Sequence, residues 1–229
     1  MAIDLSRVKG LCFDVDGTLS DTDDVWEGKL VTFFSRFPFL FRGGNPQPFS
    51  RRLLMALESP MNEIYHLLDR YSLDDNVARI YDRLSRNRKQ KPASFRLMNG
   101  ANELLELVHE KYPLTVVSAR DETSTYRFLD EFYLTRHFRK IITSQTCEYT
   151  KPFPHPIRHA AETMGLPCEA CLMIGDTTVD ILAGKAAGAQ TIGLLCGFGT
   201  EQELRKAGAD LVLHDLLELR EIFEVEYPH

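Results

Sequence analysis

The hydrophobic pattern changes character twice along the chain. Val8 to Phe13 is an apolar run too short for a helix of its own, and it reads as a buried strand. Residues 20 to about 95 then read as helical pieces broken by punctuation. Asp24 to Phe37 places Trp26, Leu30, Phe33, Phe34 and Phe37 near a helical period, and the proline- and glycine-bearing stretch up to Pro48 interrupts it. Ser50–Leu57, Met61–Arg70 and Asp74–Gln90 read as three more helices, and no stretch of this region has the β-branched run of a strand. The pattern predicts a small helical domain inserted after the first strand.

From Gly100 the rhythm is regular. Helices are predicted at Ala101–Tyr112, Glu122–Phe132, Pro156–Met164, Val179–Ala187, Glu201–Ala207 and Leu216–Phe223. Strands are predicted between them at Leu114–Val117, Lys140–Thr143, Ala170–Ile174, Gln190–Leu194 and Leu211–Leu213. These strands are apolar throughout instead of alternating. Strands of that kind, separated by helices, imply an α/β fold with a parallel sheet covered on both faces.

Composition adds limits. A chain of 229 residues, 44% hydrophobic and 26% charged, is ordinary globular material, sized for one large domain or one domain with an insert. The net charge of -6 argues against broad nucleic-acid or anionic-membrane binding. No segment has the apolar length of a membrane span. Met1 to Gly10 lacks the pattern of a secretory signal, and the five cysteines are scattered, so a cytoplasmic protein with reduced thiols is expected. Cys168 and Cys171 have zinc-like spacing without a second pair, and read as buried or loop thiols.

Ligands of open parallel sheets bind at the carboxyl ends of the strands. The residues at those ends are Asp14 and Asp16, then Ser118, then Lys151 after a short loop, then Asp176 and Asp180. Asp14-Val15-Asp16-Gly17-Thr18 puts two acids where the backbone must turn, and Gly17 tolerates the positive φ that such a turn requires. Acids beside a buried strand need compensation, and a divalent cation supplies it. The set fits phosphoryl transfer. Asp14 and Asp176 can hold magnesium, Ser118 and Lys151 can orient phosphate oxygens, one carboxylate can attack and its neighbour can manage a proton.

These residues carry a resemblance. The chain is similar to the haloacid-dehalogenase superfamily in its phosphatase branch, through Asp14-Val15-Asp16-Gly17-Thr18, Ser118, Lys151 and Gly175-Asp176-Thr177-Thr178-Val179-Asp180, all in family order. The resemblance implies a Rossmann-like core in residues 1–19 and 96–229, and a type-one helical cap in residues 20–95. It implies Asp14 as nucleophile and magnesium ligand. Asp16 would be general acid/base and would give its backbone carbonyl to the metal. Ser118 and Lys151 would bind the transferring phosphoryl group, Asp176 would ligate magnesium, and Asp180 would support the metal site or orient Lys151. An acid at Asp16 points to a leaving alkoxide that needs a proton, and so to a phosphatase or phosphomutase. Gly197-Phe198-Gly199-Thr200 resembles a turn of phosphoglycolate-phosphatase-like members.

The expectation is therefore a magnesium-dependent phosphatase acting on a small phosphorylated metabolite through an aspartyl-phosphate, with phosphoglycolate the leading substrate, as a monomer or homodimer. A sugar-phosphate mutase and a non-catalytic binding protein on the same fold are the alternatives. Simpler roles compete at single positions. Ser118 can cap the next helix, Asp176 and Asp180 can favour a helix dipole, and Arg120 can touch phosphate or sit in a surface ion pair. His155 and His159 read as helix-start residues. Arg36, Arg42, Arg51 and Arg52 in the insert can meet a substrate anion or lie on its surface.

Overall fold

In the computed structural model the residues described are 3–21 and 95–226. Leu11, Cys12 and Phe13 of β1 (Gly10–Phe13) are wholly buried, as an unbroken apolar run requires. The other strands are β2 (Leu114–Val117), β3 (Phe138–Ile142), β4 (Cys171–Gly175), β5 (Gln190–Leu194) and β6 (Leu211–Leu213). Among the described residues they form one parallel sheet in the order β3-β2-β1-β4-β5-β6. The helices are α1 (Ala101–Val108), α2 (Glu122–Glu131), α3 (His155–Met164), α4 (Thr178–Ala187), α5 (Glu201–Ala207) and α6 (Leu216–Glu226). The α/β parallel sheet expected from the pattern is present, in the Rossmann-like form that the resemblance implies.

Boundaries moved where local chemistry overrode the pattern. α1 stops at Val108, short of Tyr112, since Lys111 and Tyr112 both turn back to the Val108 carbonyl before Pro113. Tyr112 is buried against Phe223 of α6, with ring centroids 5.6 Å apart, so its apolar character serves the core and not the helix. β3 begins earlier, because Phe138 pairs with Leu114. It also ends earlier, where the Thr143 amide donates to Thr146 Oγ1 at 2.9 Å.

The strand order sets the site. The chain moves from β1 outward to β3, then crosses back to β4 on the other flank of β1. The crevice at the carboxyl ends of β1 and β4 is the point where the order reverses. Chain contacts divide the protein into two compact units, Met1–Asp23 with Arg96–His229, and Asp24–Phe95. The chain leaves and re-enters the first unit side by side, with the Asp21 amide donating to Arg96 O and the Met98 amide to Leu19 O. The helices expected between Asp24 and Gln90, and the insert's aromatic and arginine residues, lie outside the described residues. Among the described residues no helix is long and apolar enough to cross a membrane.

Candidate active site

The turn after β1 forms as its glycine predicts. The Asp14 amide donates to Ile174 O of β4, and the Leu19 and Ser20 amides both fold back onto Val15 O. Gly17 sits at φ +75°, and a Cβ there would lie 2.2 Å from Asp176 Oδ2. Positive φ and close approach thus both demand glycine.

Asp176 is fully buried one residue past β4. Its Oδ1 accepts from Thr18 Oγ1 at 3.4 Å, and its Oδ2 from the Phe198 amide at 2.8 Å. The loop after β5 wraps around it. A Cβ on Gly197 would lie 2.1 Å from Asp176 Oδ2, and one on Gly199 2.2 Å from the Asp176 carbonyl. The Gly-Phe-Gly turn is therefore a cradle for this carboxylate, a function its sequence did not disclose. The available signal was its place at the end of the strand that pairs with β4.

Asp180, also fully buried, divides its oxygens between two tasks. Oδ2 accepts from the Thr177 amide at 3.0 Å and from Thr177 Oγ1 at 2.7 Å, closing the first turn of α4. Oδ1 accepts from Lys151 Nζ at 2.6 Å, and Lys151 Nζ also donates to Asp14 Oδ1 at 2.6 Å. Helix capping and lysine positioning are thus met by one side chain.

The charge balance of this group is uneven. Burial alone would lower the Lys151 pKa, but Asp14 and Asp180 outweigh it and hold the ammonium charged above its usual range. Burial pushes Asp14 up to about 7 against the pull of Lys151, with Asp180 and Asp16 adding to the rise. Carboxylate oxygens of Asp14, Asp176 and Asp180 lie within 4.8 Å of one another. Three buried acids facing one lysine leave excess negative charge, and an all-oxygen donor set of this kind suits a hard divalent cation.

Ser118 follows β2 and is buried, with its amide donating to Ile142 O. Its hydroxyl accepts from the Arg120 amide at 3.1 Å and does not cap α2. That cap is Asp121, whose Oδ1 accepts from the Ser124 amide at 3.0 Å. Arg120 makes a two-pronged pair with Asp16, Nε donating to Oδ2 at 3.0 Å and Nη2 to Oδ1. The arginine is 11% exposed and the aspartate 37%, so this is not a loose surface pair. The Asp16 carboxylate is drawn to the arginine and does not join the three-acid group. His155 opens α3 and packs against Tyr149, whereas His159 lies in the middle of that helix, its Nδ1 3.7 Å from Glu162 Oε2.

The family model for haloacid dehalogenase-like hydrolases matches residues 11–194. A 5'-nucleotidase of Pseudomonas aeruginosa is 31% identical over 223 residues, which cover 95% of this chain and 96% of that protein. The chain belongs to the haloacid dehalogenase-like hydrolase family. A phosphoglycolate phosphatase of Nitrosococcus oceani is 27% identical, covering 95% of this chain and 97% of that protein. Among solved structures, a hydrolase from Pseudomonas syringae matches with a TM-score of 0.63 and 26% identity, over 95% of this chain and 98% of that one. The haloacid dehalogenase-like core of this protein thus brings Asp14, Lys151, Asp176 and Asp180 into one buried group, with Asp16 and Ser118 beside it and joined through Arg120.

Proposed function

We propose that this hydrolase is a magnesium-dependent phosphatase that cleaves a small phosphomonoester through an aspartyl-phosphate on Asp14. The observation that supports this most is the buried Asp14–Lys151–Asp180 chain beside Asp176 at the point where the sheet order reverses. Asp14 and Asp176 would hold the magnesium ion with the Asp16 carbonyl, and the ion would neutralise charge on the phosphate oxygens.

The chain's own residues carry the steps. Lys151 holds Asp14 Oδ1, which leaves Oδ2 to attack phosphorus. A bond forms from that oxygen to phosphorus as the bond to the leaving oxygen breaks. Asp16 gives the leaving oxygen its proton, then takes one from the water that attacks the phosphoenzyme and frees Asp14. Arg120 keeps the Asp16 carboxylate in place between these transfers. Ser118 and Lys151 orient the transferring group. Residues 20–95 select the leaving group in this reading.

The test is phosphate release with magnesium from phosphoglycolate, a nucleoside 5'-monophosphate, a sugar phosphate and pyrophosphate. Asp14→Asn should cost about 10⁴-fold or more, and a chelator should stop release reversibly. Retained activity in Asp14→Asn overturns the nucleophile. An isomerised sugar phosphate without free phosphate overturns the hydrolase reading in favour of a mutase.

A further inference from the structure

A second group of ligand-bearing side chains lies at the other edge of the sheet. The strands are parallel, so the amino ends of β2 and β3 face away from the edge that carries Asp14 and Asp176. Glu106 and His109 are three residues apart at the end of α1, on one helical face. His137 closes the short turn Thr135–His137 that feeds β3. One ligand atom from each of the three lies within 4.8 Å of the others. His137 Nε2 is 3.6 Å from Glu106 Oε1, close to the roughly 3.4 Å expected between two ligands of a tetrahedral zinc ion. The His109 ring packs edge-on against His137, with centroids 4.7 Å apart.

Two features separate this group from a casual cluster. His109 Nδ1 lies 3.1 Å from Leu105 O and 2.8 Å from Glu106 O. Carbonyls only accept, so Nδ1 carries the proton and Nε2 keeps its lone pair. A carbonyl on the far ring nitrogen is the support that metal-bound imidazoles use. The His137 side chain is 1% exposed, and its Nε2, the nitrogen that faces Glu106, accepts from Arg136 Nε and so also carries a lone pair.

Arg136 now serves as the cation of the group. It pairs with Glu106 through Nη2 and donates from Nε to His137 Nε2 at 3.3 Å. Its side chain is 62% exposed, so it is free to swing into solvent. We infer that Glu106, His109 and His137 form a transition-metal site of the zinc class, with water as the remaining ligand, in which metal and Arg136 exclude one another. The bound ion ties the end of α1 to the turn before β3.

The test is zinc binding to the full chain under excess magnesium, by competition with a chromogenic chelator, with cobalt(II) absorption reporting coordination. One equivalent should persist under magnesium, and its cobalt form should show four-coordinate visible bands. His109→Gln and Glu106→Gln should each weaken it by about 100-fold and remove those bands, with circular dichroism unchanged. Arg136→Gln should tighten it. Zinc affinity equal in the parent and His109→Gln overturns the site. An Arg136→Gln affinity no tighter than the parent's overturns the exclusion.

Discussion

Lys151→Met removes the one ammonium that, among the described residues, pairs with this buried set of carboxylates, while keeping most of the side chain's volume. The lysine side chain is 3% exposed, Asp14 8% and Asp180 0%. Breaking a buried pair by deleting one partner costs about 3–5 kcal/mol, because the remaining charge has no compensation. Two relaxations favour the lower end. Asp180 keeps both Thr177 donors, and Asp14, already pushed up to about 7, can take a proton. A loss near 3 kcal/mol lowers Tm by about 6–12 °C for a core of this size. The pH dependence has a definite sign. Asp14 binds its proton more tightly folded than unfolded, so stability falls as pH rises from the ordinary 3.8 toward 7. Without Lys151 that window extends above 7, so the deficit grows between pH 6 and pH 8. Thermal and urea unfolding followed by circular dichroism, with chelator present, measure this. A variant within about 2 °C of the parent at pH 8, or a deficit that shrinks as pH rises, refutes the reasoning.

Asp16→Asn should slow phosphate release by about 10²–10⁴-fold from alkyl phosphates and much less in the first step with p-nitrophenyl phosphate, whose leaving group needs no proton; equal losses in burst kinetics on both would contradict the acid role. Gly197→Ala forces a Cβ onto the Asp176 carboxylate, so the magnesium concentration for half-maximal activity should rise by about 10–100-fold at unchanged secondary structure, and an unaltered magnesium titration would refute the cradle. Asp210 opposes its own burial with bonds from Lys185 and Thr191, which hold its pKa below the ordinary value. Its contribution is therefore present above the unfolded value of 3.8 and is lost as pH falls through the lower folded one. Asp210→Asn should cost about 1.5 kcal/mol at pH 7 in urea unfolding, and the gap should close toward pH 3.

Legibility followed how local each cause was. β2, β5, α5 and β6 lie where the apolar runs and their flanking residues placed them, because burial on both faces and a following glycine or proline are written in adjacent residues. α1 was overextended because Tyr112 looks like a helix position, and only its packing on Phe223 across the fold shows otherwise. Asp14 and Asp176 were legible as a pair, since parallel strands deliver their ends to one edge.

Other contacts of the site were not. That Arg120 grips Asp16, and that Gly197 and Gly199 enclose Asp176, depends on which strand ends become neighbours, and the strand order alone decides that. The same holds for His137, which no spacing rule joins to Glu106 and His109. The sequence by itself determined which chemistry was present, because side-chain type and hydrophobic period are properties of single segments. Tertiary structure decided which charges share a dry environment. Burial and proximity set their protonation and their need for a cation, and those quantities exist only once distant segments meet.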